Sequence, residues 1–296
     1  MNQTRFGHVA LLGRPNVGKS TLLNALVGEH LAIVTHKPQT TRHRIVGILT
    51  ETRGQVAFVD TPGLHKRRDH ALNRRLNRIA ADTSAGVDLL VLVLDATHLT
   101  DEDELALAQV RAHDGPAILA FNKIDLLEDR SRLLQMTGKL SAKADFAAVV
   151  YLSAERRKGL DDLLDEVFRL LPEGAPQYPE DSFTDRSERF LVAELVREQL
   201  MLQLHQEIPY GLTVVIERFE RQPRRIEINA LILVAEDRHK GMVIGRQGQV
   251  LKRVGSRARQ AAARLLDAPV HLELHVKTRS GWMDDDGSLD ELGYGR

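Results

Sequence analysis

Eight residues near the N-terminus, Gly13-Arg14-Pro15-Asn16-Val17-Gly18-Lys19-Ser20, leave this chain few folds to choose from. They fit G-x-x-x-x-G-K-[ST], the spacing of a loop that cradles phosphate. Gly13 and Gly18 let the backbone turn tightly and aim its N–H groups inward, a nest for anionic oxygens. Lys19 is expected to reach the β- and γ-phosphates and the Ser20 hydroxyl to hold Mg²⁺. Thr21 to Leu26 reads as a helix whose positive dipole end faces the phosphates. The apolar run Val9 to Leu12 just before the loop reads as a buried strand.

Length and composition fit two folded domains. The chain has 296 residues, 43% hydrophobic and 28% charged. It contains no cysteine, which excludes disulfides and thiolate chemistry and fits a reducing compartment. No apolar run is long enough for a transmembrane helix, and the start MNQTRFGH is not a signal peptide. The formal net charge is zero, yet residues 181–280 carry 17 basic and 13 acidic side chains, while 281–296 carry 1 and 5. The second half is basic with an acidic end.

Strand and helix patterns alternate after the phosphate loop. Arg44 to Thr50 and Gln55 to Val59 predict a hairpin, and Val87 to Leu94, Ala117 to Phe121 and Ala147 to Leu152 predict buried strands. Between them lie helical patterns at 71–83, 101–112, 130–143 and 160–171. This order predicts an α/β domain with a mainly parallel sheet and helices on both faces, its ligands bound at the strand ends. Three strand ends carry polar motifs. In Asp60-Thr61-Pro62-Gly63, the carboxylate can hold Mg²⁺ through water and Gly63 can offer its N–H to a γ-phosphate. In Asn122-Lys123-Ile124-Asp125, Asp125 can accept from guanine N1–H and N2–H₂, Asn122 can bond near N7, and the Lys123 stem can cover the base. Ser153-Ala154 can offer a backbone N–H to guanine O6.

With GRPNVGKS, QTTRH, DTPG, NKID and SAE in this order, the chain resembles the translation-factor-like GTPases. The resemblance implies GTP/GDP binding with GTP hydrolysis. It also implies that Thr41, rather than Thr40, closes onto Mg²⁺ and the γ-phosphate, giving a two-state switch. The catalytic set is then Lys19, Thr41, Gly63 and Asn16. Leu64 follows DTPG where Ras-like members carry a glutamine, so intrinsic hydrolysis is expected to be slow. In similar GTPases a loop asparagine helps hold K⁺ against the phosphates. Asn16 either does this or stabilises the turn. The basic stretch from His65 to His70, with Arg74, Arg75 and Arg78, reads as a solvated face or as an RNA or partner contact.

Leu171 to Pro179 carries three prolines and a glycine and reads as a semi-extended linker. The expected organisation is a GTPase domain at 1–172, a linker at 173–185, a second domain at 186–280 and an acidic tail at 281–296 that is solvated, mobile or a competitor for the RNA groove. The second domain reads α-β-β-α-α-β. The predicted elements are a helix at 186–207, strands at 212–219 and 225–235, a short helix at 239–244, a helix at 249–266 and a strand at 270–276. Gly245-Arg246-Gln247-Gly248 is a G-x-x-G loop between two helices, the spacing with which KH domains clamp nucleotide backbones. Residues 238–264 hold eight Lys and Arg and no Asp or Glu, a footprint for phosphate. The element order, with Val243-Ile244-Gly245, resembles the type II KH fold. The expected RNA contacts are Ile244, Gly245, Arg246, Gln247, Gly248, Lys252 and Arg253.

A GTPase followed by a type II KH domain and the ending Lys277 to Trp282 resembles the Era-like GTPases over essentially the whole chain. That resemblance implies binding near the 3′ end of small-subunit rRNA, action on the small ribosomal subunit, and cytosolic location with peripheral membrane association. RNA rather than DNA is the expected partner. The alternatives are a membrane-associated or cell-cycle signalling GTPase and a P-loop kinase or ATPase. NKID argues against the last.

Overall fold

A computed structural model describes residues 4–37, 40–64, 70–129 and 131–294. The described chain forms two compact units. The first holds 4–64 and 74–185, and the second holds 186–294 with 70–73. Most of the basic stretch from His65 lies outside the described residues.

The first unit is a six-stranded sheet of β1 (Arg5–Leu12), β2 (Ile45–Glu51), β3 (Gly54–Asp60), β4 (Leu89–Asp95), β5 (Ala117–Asn122) and β6 (Ala148–Tyr151). Its order is β2-β3-β1-β4-β5-β6. Only β2 runs antiparallel, paired with β3 as the predicted hairpin. Continuous apolar runs build the inner strands because both faces are covered. On one face Leu90, Leu92, Leu94, Leu119 and Phe121 join side chains of α2 (Ala71–Ala85), α3 (Asp103–Ala112) and α4 (Ser131–Ser141) in one core. Across the sheet α1 (Lys19–Val27) lies against β2 and β3, and α5 (Leu160–Leu170) against β6. A Cβ on Gly47 of β2 would lie 2.7 Å from Leu23 and Val27 of α1. The α/β fold is as the sequence predicts.

The stretch 173–185 is not a free spacer. It runs along the first unit. Gly174 N–H donates to Thr4 O, Ile48 N–H to Phe183 O, and the Thr184 hydroxyl to Val46 O. The buried Gln55 amide donates to Tyr178 O and accepts from the N–H groups of Gln177 and Tyr178. β2 is an edge strand, and its unpaired backbone groups gain partners this way.

The second unit holds α6 (Glu188–Gln203), β7 (Leu212–Arg221), β8 (Ile226–Val234), α7 (Asp237–Ile244), α8 (Gln249–Leu265) and β9 (Val270–Thr278). This is the predicted α-β-β-α-α-β order. β7 and β8 pair antiparallel, with a bulge between Ile216 and Arg218, and β8 and β9 pair parallel. Apolar faces of α6 and α8 close on one side of the sheet. α6 ends four residues earlier than predicted, because Pro209, in the 3₁₀ turn Ile208–Gly211, has no N–H for a continuing helix and its ring would clash with the preceding turn.

The acidic tail is folded rather than mobile. A short helix α9 (Asp286–Glu291) begins at Asp285, whose side chain accepts from Ser288 N–H. Trp282, Leu289 and Tyr294 are fully buried, Trp282 stacks on Tyr294, and the Tyr294 hydroxyl bonds Thr213. Arg279 forms an ion pair with Glu291 at 2.6 Å. Three large apolar side chains outweigh the acidic residues between them.

Candidate functional site

The candidate site lies where β1, β3 and β5 end. The turn from β1 into α1 is built on residues that tolerate unusual backbone. Gly13 has φ 149° and Gly18 φ 99°. A Cβ would meet Val93 O at 2.4 Å in the first case and Asn122 Nδ2 at 2.3 Å in the second. Asn16 sits at φ 63°, the left-handed region in which asparagine is the best-tolerated side chain after glycine. α1 has no side-chain cap and no acidic residue in its first turn. Its leading N–H groups are therefore left to an anion. Lys19 Nζ folds over the loop and donates to Gly13 O at 2.9 Å and Arg14 O at 3.0 Å. Burial pushes its pKa down to about 8, with Asp60 pulling partly the other way.

Three oxygens converge beside Lys19. The Ser20 hydroxyl lies 2.6 Å from Asp60 Oδ2 and 2.8 Å from the Thr41 hydroxyl, which lies 3.3 Å from the same carboxylate oxygen. Thr40 is turned away, its hydroxyl bonded to Thr35 and Lys37 O. Burial pushes the Asp60 pKa up, and Lys19, Ser20 and Thr41 pull it back. One carboxylate and two hydroxyls form a hard oxygen donor set, the chemistry that suits Mg²⁺. Thr61 is structural, its hydroxyl donating to Leu11 O. Gly63 lies against the loop so closely that a Cβ would sit 2.7 Å from the Pro15 nitrogen. Leu64 is buried in the core under α2, α3 and α4, away from any water-orienting role.

At the end of β5 and in the loop after β6, Asn122 and Ala154 have protein partners. Asn122 faces inward: Nδ2 donates to Val17 O at 2.8 Å, and Oδ1 accepts from Lys123 N–H and Ala154 N–H at 2.8 and 2.9 Å. The Ala154 N–H proposed for guanine O6 is thus given to Asn122, and Ser153 N–H goes to Lys158 O. Asn122 braces three loops, with Nδ2 donating to Val17 O and Oδ1 accepting twice. Lys123 Nζ donates to Asn16 O and Asp95 Oδ2, both at 2.7 Å. Asp125 keeps its carboxylate at the rim, with Arg156 as a distant ionic neighbour at 3.9 Å. Sequence reasoning missed Asp95, Asp103 and His98, which surround Arg14. Asp95 is the first charged residue after an apolar strand, and that position was the signal.

In the second unit the G-x-x-G loop joins α7 to α8. Gly245 has φ 75°, Gln247 φ 52° and Gly248 φ 73°. A Cβ on Gly245 would strike Val250 at 2.5 Å, whereas Gly248 opens onto clear space. Along α8, Val254, Ala258 and Ala262 face the sheet at helical spacing, leaving Lys252, Arg253, Arg257 and Arg259 exposed. A groove of about 450 Å³ runs between α8 and β9. Gly248, Lys252, Gly255 and Arg259 line one wall and Leu272 and Leu274 the other. Arg246 and Gln247 are exposed at the loop tip. Arg253 does not line the groove, and Arg259, outside the predicted set, does.

Comparison with known proteins places both halves. The model of the 50S ribosome-binding GTPases matches residues 8–123, and that of the KH domain matches 207–283. GTPase Era of Pseudomonas putida is 48% identical over 294 residues, covering 99% of this chain and 97% of its own. The chain belongs to the GTPase Era family. Era of Histophilus somni is 47% identical over 293 residues, covering 99% of this chain and 98% of its own. Two solved Era structures superpose with a TM-score of 0.95 at 34% identity, covering 99% of this chain and 100% of theirs. One is an Aquifex aeolicus Era variant bound to GDP·AlF₄⁻, and the other is Era with MgGDPNP and nucleotides 1506–1542 of 16S ribosomal RNA. As an Era-family protein this chain is a GTPase, hydrolysing GTP to GDP and phosphate. Among the described residues no helix is long and apolar enough to cross a membrane.

The Asn122 brace gives a first prediction. Asn122→Ala leaves Val17 O and the N–H groups of Lys123 and Ala154 without their partner. The loss should be about 3 kcal/mol of stability in urea unfolding, together with at least about tenfold weaker GDP binding. An unchanged urea midpoint would contradict the brace.

Proposed function

We propose that this chain is a GTP-driven switch that binds small-subunit rRNA near its 3′ end during assembly of the small ribosomal subunit. The observation that carries the reading is the groove beside the G-x-x-G loop. It has two apolar side chains on the strand wall and the cations Lys252 and Arg259 on the helix wall, which suits splayed bases and a phosphate backbone. The rRNA-bound Era relative supports the choice of RNA.

In the first unit Ser20, Thr41 and Asp60 are the residues that would hold Mg²⁺, whose chemistry is to neutralise charge on the β- and γ-phosphate oxygens. Gly13, Arg14, Pro15, Asn16, Val17, Gly18 and Thr21 shape the loop around the phosphates, with the Lys19 ammonium as the cation among them. Pro62 and Gly63 bring a backbone N–H to the terminal phosphate. Asp125 reads guanine. Thr41 joins Ser20 and Asp60 through its hydroxyl, so the loop carrying it follows the nucleotide state. Leu64 offers no hydrogen bond to an attacking water, and hydrolysis is slow without help.

For that help the reading assigns K⁺ beside Asn16. The Asn16 amide nitrogen donates to His36 O at 3.0 Å, which fixes the side chain at the mouth of the loop. Turnover should be faster in potassium than in sodium buffer, and Asn16→Ala should remove the difference. Equal rates in both salts for the parent protein would sink the assignment and leave a partner-supplied group. Location in the cytosol with peripheral attachment to the inner membrane face is the family expectation, and flotation with lipid vesicles is its test.

The RNA reading is tested with a labelled oligonucleotide of the 16S 3′ end. Arg246→Asp/Gln247→Asp puts two negative charges at the loop tip and should abolish binding without changing the thermal unfolding of the protein. Lys252→Ala should flatten the salt dependence of log K by about 0.7, one phosphate's share on a single strand. Parent-like affinity in the double variant would remove the groove from the RNA site.

A further inference from the structure

A cluster of four charged side chains, Asp95, Lys123, Arg14 and Asp103, lies beside the phosphate loop. Asp95, at the end of β4, is almost fully buried. Its Oδ1 accepts from Thr97 N–H at 3.0 Å and the Thr97 hydroxyl at 2.6 Å, and its Oδ2 from Lys123 Nζ at 2.7 Å. The second bond of Lys123 Nζ goes to Asn16 O. Arg14, also buried, places Nη2 3.9 Å from Asp95 Oδ2 and Nε 3.2 Å from Asp103 Oδ1. Its Nη2 also approaches His98 Nε2 at 3.2 Å and His98 O at 3.4 Å. Asp103 is held in turn by Thr100 N–H at 2.7 Å. Burial alone would raise the Asp95 carboxyl, but hydrogen bonds from Lys123 and Thr97 outweigh it and hold the group below its ordinary range.

Stability alone does not account for such a cluster, since buried ion pairs are often matched or bettered by apolar packing of the same volume. Its location does. Lys123 and Asn16 both sit in left-handed backbone, at φ 66° and 63°. Asparagine tolerates this region, but for Lys123 it is a strained turn that persists only where the surroundings hold it. One belongs to the base-reading motif and the other to the phosphate loop. The Lys123 ammonium ties them together, and Asp95 holds that ammonium in place. Arg14 ties the same phosphate loop to α3 through Asp103. Among the described residues these bonds do not run to Ser20, Thr41 or Asp60.

We infer that Asp95, with Asp103 behind Arg14, is a positioning residue that couples the phosphate loop to the base-reading strand end, so that the pocket holds base and phosphate as one unit. This inference rests on the nucleotide-site assignment above. It requires that loosening Asp95 weaken retention of the whole nucleotide while the oxygens around Ser20 keep their arrangement.

The test uses the full chain and compares Asp95→Asn and Asp125→Asn with the parent, reading GDP dissociation by stopped flow and KM and kcat for GTP. The expected result for Asp95→Asn is a rise of about tenfold in both the GDP off-rate and KM, the loss of a charge-assisted bond, with kcat kept within about twofold. If the variant is less stable, the GDP dependence of its melting temperature gives the affinity of the folded fraction. A lowered melting temperature with parent-like GDP affinity makes Asp95 purely structural and overturns the inference. Should Asp95→Asn not fold, Asp103→Asn, which frees Arg14 from the same cluster, must show the same rise in KM with kcat kept. A parent-like KM there overturns it equally. Weakened GDP binding in Asp125→Asn with parent-like Asp95→Asn overturns this inference alone. Parent-like binding in Asp125→Asn overturns the site assignment and this inference with it.

Discussion

Asp60 is a fully buried carboxylate at the end of β3, and the candidate site is arranged around its needs. A charge in that position is sustained only by partners that repay its lost hydration. Lys19 supplies the opposite charge, and Ser20 and Thr41 supply hydroxyl donors at 2.6 and 3.3 Å. Each partner comes from a different part of the chain. Lys19 and Ser20 open α1, and Thr41 belongs to the loop before β2. One carboxylate therefore fixes how the phosphate loop, the hairpin and Thr41 meet. The same three oxygens make up the hard donor set proposed above for Mg²⁺, so on that proposal the group that organises the site would also carry nucleotide state to the loop bearing Thr41.

A second inward-facing polar residue completes the pocket. Asn122 joins Val17, Lys123 and Ala154, so the phosphate loop, the base-reading strand end and the last loop share one amide. Gly18 leaves the room it requires, since a Cβ there would overlap the Asn122 amide. Below it, Lys123 joins the phosphate loop to Asp95. The pocket is thus held from three sides by hydrogen bonds, and a preorganised pocket loses less ordering entropy when a ligand binds.

The motifs were legible because each is local. Gly13 to Ser20, Asp60 to Gly63 and Asn122 to Asp125 are short runs at the ends of apolar strands, and alternating strands and helices order them along one sheet edge. The second unit was legible for the same reason, its helical and alternating patterns bracketing Gly245 to Gly248. What the sequence did not reveal depends on contacts between distant residues. The inward turn of Asn122, the burial of Arg14 between Asp95 and Asp103, and the binding of residues 173–185 to β2 all involve partners tens to more than a hundred residues away. The tail misled for a different reason. Its five acidic residues suggested a solvated segment, whereas Trp282, Leu289 and Tyr294 among them are buried.

The central claim is that the oxygens around Asp60 and the groove beside α8 belong to one switch. Coupling between two sites is reciprocal, so nucleotide state must set RNA affinity if RNA is to sense the nucleotide. The direct measurement is an equilibrium titration of the 16S 3′-end oligonucleotide against the protein loaded with GDPNP and Mg²⁺ or with GDP. Affinities should differ by at least about fivefold, and Thr41→Val, which keeps the shape and removes the hydroxyl, should collapse the difference. Identical affinities for the two forms of the parent protein would contradict the account, leaving two tethered domains with no switch between them.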